Sequence, residues 1–119
     1  MKNTFSFILI ILFVTSCTSV SEEDLIDQIP IEETITYNSH IQSIINSNCI
    51  SCHSMPPENG APMSLVNYND VKNAVVNRGL IDRISSEDLG FLMPFGGPRL
   101  PQNLIDIVNQ WEMDGLLEE

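Results

Sequence analysis

Cys49-Ile50-Ser51-Cys52-His53 constrains this chain more than any other stretch. Thiols at that spacing stand about one helical turn apart, and an imidazole adjoins the second, so three side chains can converge on one flat ligand. C-x-x-C-H is the attachment signature of c-type haem: the sulfurs reach the two vinyl groups along one porphyrin edge while the imidazole swings under the iron. Other chemistries use the same residues. A thioredoxin-like dithiol expects a surrounding βαβ pattern, and a structural zinc site expects a second ligand pair. No strand-type alternation of useful length occurs, and with 3 Cys and 2 His in all, only Cys17 and His40 are left over. Zinc, a redox dithiol and a Cys49–Cys52 disulfide stay as the alternatives.

The compartment bears on that choice. Lys2 precedes an apolar run from Phe5 to Val14, well short of the roughly 20 residues of a spanning helix, which reads as an export signal. The run leads into Val14-Thr15-Ser16-Cys17, and small residues directly before a Cys resemble the lipobox of bacterial lipoproteins. That resemblance implies cleavage after Ser16 and acylation of Cys17; a plain secretory signal or an uncleaved anchor are the competing readings. Two or three acyl chains make a membrane anchor effectively permanent. Thr18 follows where lipoproteins kept in the inner membrane often carry Asp, which points to the periplasmic face of the outer membrane. In an oxidising compartment a free C-x-x-C tends to close as a disulfide, whereas thioether attachment takes both sulfurs out of redox exchange.

Three regions follow: a cleaved signal over 1–16, a lipid-anchored tether over 17–36 and a folded domain over 37–119. The tether carries Glu22, Glu23, Asp24, Asp27, Glu32 and Glu33 with no Lys or Arg, so it should behave as a self-repelling spacer. Its Ser21-Glu22-Glu23-Asp24 resembles the acidic tracts that send some Gram-negative lipoproteins to the cell surface. The whole chain has 16 Asp and Glu against 5 Lys and Arg, for a net charge of −11. Such a charge repels phosphate backbones, so nucleic acid is excluded as a partner. A protein partner that docks electrostatically should offer a basic surface. No Ser/His/Asp ordering or paired-carboxylate cluster points to an enzyme.

Around the motif, periodicity predicts helices only. Ser39–Asn48 sets Ile41, Ile44 and Ile45 on one face, with Asn38 or Ser39 as N-cap. Asn69–Gly79 has a polar start, apolar Val71, Ala74 and Val75, and a terminating Gly. From Leu100 to Gly115, Leu104, Val108 and Trp111 form a stripe, with Pro101 near the first turn and Gly115 as C-cap candidate. The Pro- and Gly-bearing stretch 54–64 predicts a loop.

This arrangement resembles the small monohaem class I cytochromes c over residues 37–119. The resemblance implies an all-α fold of three to four short helices and loops wrapped around one covalently attached haem c. It also implies a distal ligand loop, which Leu92-Met93-Pro94-Phe95-Gly96-Gly97-Pro98 matches. Met93 is the candidate sixth ligand opposite His53, with Met63 as its rival and His40 or an open site behind them. His40 reads most simply as solvent-facing. Phe91, Phe95, Leu100 and Trp111 are candidates to pack on the haem, and Arg99 either pairs with a propionate or is solvated. The function so implied is that of a one-electron carrier working with protein redox partners, not of an enzyme. A cytochrome subunit of a periplasmic oxidoreductase is the alternative, and a haem sensor or peroxidase would require an open sixth position.

Overall fold

The computed structural model describes residues 33–119. The export signal, Cys17 and the tether up to residue 32 lie outside the described residues. Within them the chain is helical and no strand occurs.

A turn of π-helix over Tyr37–Ile41 runs into α1, Gln42–Asn48. Ile41, Ile44 and Ile45 are buried, as their spacing predicts, and Tyr37 extends the stripe by one turn. For that reason the helix starts at Tyr37 and not at Ser39. Thr36 provides no side-chain cap. The unpaired N–H groups of the first turn, which every helix must satisfy somehow, are met by the far end of the chain. Tyr37 N–H donates to the Leu117 carbonyl at 2.9 Å and Asn38 N–H to that of Glu118 at 3.0 Å. Ile35 N–H donates to Asp114 Oδ2 at 2.7 Å, and its side chain is buried. Core packing therefore begins at Ile35, two positions inside the stretch read as tether.

α2 spans Tyr68–Arg78. Its cap is Asn67, whose side chain accepts from Asp70 N–H at 3.0 Å, and its buried face is Val71, Ala74 and Val75. Gly79 ends it at φ +63 and leads directly into α3, Leu80–Ser85. Two helices sharing one glycine were not separable by periodicity, because a six-residue segment is too short to show a period, and of its apolar Leu80, Ile81 and Ile84 only Leu80 and Ile84 are buried.

α4 spans Gln102–Met113 behind Pro101. It buries Ile105, Val108 and Trp111, whereas Leu104, expected in the stripe, is only partly buried at its edge. The π-turn and α3 both pack on α4, and their positions decide which neighbouring side chain is central. The end of α4 is a Schellman motif: Leu116 N–H donates to the Trp111 carbonyl at 2.9 Å and Gly115 N–H to that of Glu112 at 3.1 Å. Trp111, Tyr37 and Tyr68 form an aromatic cluster with ring centroids 5.7, 6.1 and 6.3 Å apart, within the range where such pairs attract. The segment around Ile35, the C-terminal residues and the aromatic cluster thus meet at the N-terminal end of the first helix, and Cys49 lies at the other.

Candidate functional site

α1 stops at Cys49, whose N–H still donates to the Ile45 carbonyl at 2.8 Å. The Cys49 carbonyl then accepts from two donors, Cys52 N–H at 3.2 Å and His53 N–H at 2.9 Å. One carbonyl therefore gathers the motif into a tight turn. The following stretch, 54–64, has no regular element, as its three prolines and Gly60 predict. It is tied back by Glu58 N–H to the Cys52 carbonyl and Leu65 N–H to the His53 carbonyl, both at 2.8 Å.

The His53 ring is buried and its Nδ1 lies 2.8 Å from the Met63 carbonyl oxygen. A carbonyl can only accept, so Nδ1 carries the proton, and in the neutral ring Nε2 keeps its lone pair. That is the arrangement by which ligating histidines are oriented from behind. Cys49 and Cys52 are free thiols, each partly buried. Burial pushes the Cys49 thiol up to about 11, so it is protonated at neutral pH. A redox-exchange dithiol needs the opposite, a lowered thiol pKa.

Cys49, Cys52, His53, Met63, Met93 and Phe95 all line one cavity of about 730 Å³. This is within the roughly 300–1,000 Å³ of sites that enclose small molecules and cofactors. Leu65, Leu80, Ile84 and Pro94 make much of its wall apolar. Met93 comes from the loop after α3, where buried Leu92 anchors the chain and Met93 N–H donates to the Arg83 carbonyl at 3.1 Å. Among the described residues no group of three His, Cys, Asp or Glu is gathered to hold a metal ion. The residues lining this cavity that carry soft donors are His53, Met63, Met93, Cys49 and Cys52, a set suited to a haem iron held mainly by its own macrocycle.

Several expected neighbours are elsewhere. Of the four apolar candidates only Phe95 lines the cavity. Trp111 is fully buried in the aromatic cluster, with Nε1–H donating to the Leu117 carbonyl at 2.8 Å, because α4 carries it to the opposite end of the first helix. Leu100 belongs to the main core, and Phe91 lies under the Arg83 guanidinium at 4.5 Å. His40 is neither a ligand candidate nor an idle surface residue. Its Nδ1 accepts from Thr36 N–H at 3.2 Å, so Nε2–H donates to Glu33 Oε1 at 2.9 Å, and the ring closes the first turn. Arg99 donates to the Ser85 carbonyl at 3.1 Å and to Gln102 Oε1 at 2.9 Å, joining α3 to α4 and reaching neither solvent alone nor the cavity.

The cations that do line the cavity are Arg78 and Arg83. Periodicity did not single them out, since each is an ordinary polar position on its helix; their only signal is their place on either side of Gly79. No family model, curated protein or solved structure matches this chain.

Proposed function

We propose that this chain is a one-electron carrier, a small monohaem class I cytochrome c held in the bacterial envelope by a lipid on Cys17. In this reading haem c is bonded through Cys49 and Cys52, with His53 and Met93 as axial ligands. One observation carries it: two free thiols, an imidazole with its Nε2 lone pair available and a thioether from a distant loop all line the same apolar cavity. Bound there, haem would supply a one-electron iron couple whose potential a Met/His ligand pair raises.

The chain's own residues favour Met93 over Met63 as the second ligand. The Met63 carbonyl is bonded to Nδ1, which keeps that residue on the back of the imidazole, whereas Met93 is supplied by a separate loop bonded to α3. The protonated Cys49 thiol argues against a redox dithiol. A thioether suits either oxidation state of iron, so little would have to move when an electron passes. The lipobox-like Val14-Thr15-Ser16-Cys17 supports attachment to a membrane, and the acidic balance supports redox partners with a basic docking surface.

The test is a pyridine haemochrome spectrum on protein co-expressed with a c-type maturation system and washed with acidified acetone. Retained haem with the c-type spectrum is expected. Colourless protein from a culture that matures a control cytochrome would overturn the reading and leave a disulfide or zinc site in its place. Cys17→Ala should move the protein from the membrane to the soluble fraction with its spectrum intact; loss of haem instead would show that Cys17 has another task.

A further inference from the structure

Arg78 closes α2 and Arg83 lies within α3, and the bend at Gly79 brings both to the same cavity. The lining contains no Asp or Glu. Among the described residues the only ion pair is His40–Glu33, so neither arginine is matched by a carboxylate of these residues, although acids outnumber bases 16 to 5 in the chain. Arg83 is also held in place: its guanidinium lies 4.5 Å from the Phe91 ring centroid, a cation–π distance, and its Nη1–H makes a long 3.5 Å contact to the Phe91 carbonyl. Arg78 is exposed and Arg83 half-buried, so both can turn a guanidinium to an anion at the mouth of the cavity without a carboxylate of their own to leave.

We propose that Arg78 and Arg83 form the anion-binding end of this cavity and take a pair of carboxylates from an otherwise apolar ligand. The planar guanidinium fork matches a carboxylate in two parallel hydrogen bonds. The inference rests on the carrier reading, in which those carboxylates are the two propionates of haem c. It also assigns Arg83 two tasks. Its main-chain carbonyl holds Met93 N–H while its side chain fixes the ligand's acidic edge, so the distal loop and the macrocycle share one anchor.

The holoprotein tests this through Arg78→Gln, Arg83→Gln and the double variant, with Arg99→Gln as control because that guanidinium is engaged between α3 and α4. The readouts are the reduction potential and the propionate bending bands in resonance Raman spectra. The double variant should show shifted propionate bands and a lower potential, since losing positive charge beside the iron favours its oxidised state; Arg99→Gln should change neither. If the glutamine variants do not accumulate, Arg83→Lys keeps the charge and removes the fork, and should shift the bands with little change in potential. Coloured variants that all match Arg99→Gln would overturn this inference alone. Wild-type protein without covalent haem would overturn the carrier reading and this inference together.

Discussion

A single carbonyl decides which nitrogen of His53 is free. Because Met63 oxygen accepts from Nδ1–H, the ring is fixed in one tautomer, and the residue that competes with Met93 is committed to supporting the imidazole. In the carrier reading, replacing Met93 by Ala should therefore open the sixth position: carbon monoxide should bind the ferrous protein at once, and the potential should fall. An unchanged spectrum would transfer the ligand role to Met63. Tyr37 offers a test that does not involve the cofactor. Burial, with Asp70 and Glu118 adding to it, raises its phenol above the ordinary value. The folded state then holds this proton after the unfolded chain has lost it, so its contribution is complete below about pH 10 and is lost as pH rises beyond. Tyr37→Phe should melt as the parent does at pH 7 and lose less stability between about pH 9 and 11. Parallel losses in both proteins would contradict the assignment.

Helix boundaries were legible where the terminating chemistry is local. Gly79 ends α2 where a terminating glycine was expected, and the loop over 54–64 follows from its three prolines and Gly60. The first helix is the counterexample, since its initial N–H groups are capped from Leu117 and Glu118, partners that no local pattern could indicate. Gly115 serves both kinds of contact. At φ +94 it closes α4 and turns the chain so that Leu116 and Leu117 can receive Tyr68 and Trp111 hydrogen bonds. Open space surrounds its Cα, so Gly115→Ala meets conformational strain without a clash. The variant should lose about 1–2 kcal/mol, read as a lower melting temperature in the holoprotein. An unaltered melt would mean that the Schellman turn contributes nothing.

For the whole molecule, the first helix sets the layout. The seam between the 35–38 segment, the C-terminal residues and the aromatic cluster occupies one end, and the cavity opens at the other, roughly 18 Å along the axis at 1.5 Å per residue. A domain only slightly longer than the roughly 70–80 residues below which one core rarely suffices here surrounds a cavity of about 730 Å³. Two of its walls are the 54–65 segment and the Met93 loop, neither of which has a regular element to hold it. If that cavity holds haem as proposed, the form without haem should be largely unfolded by circular dichroism. A cooperative, native-like melt of haem-free protein would show that the aromatic end alone sustains the fold.

By itself the sequence determined what depends on spacing along the chain. The C-x-x-C-H turn, the isoleucine stripe of the first helix, the face of α2 and the irregular 54–64 loop are each set by residues within a few positions of one another. The tertiary structure decided what depends on how helices cross. Trp111 belongs to the core instead of the cavity because α4 crosses the first helix at the end remote from Cys49. Arg78 and Arg83 reach the cavity, and Arg99 does not, because α3 folds back on α2 and leaves Arg99 between α3 and α4. A side chain's neighbours across the molecule are fixed by packing between distant segments, and that packing leaves no period in the sequence to read.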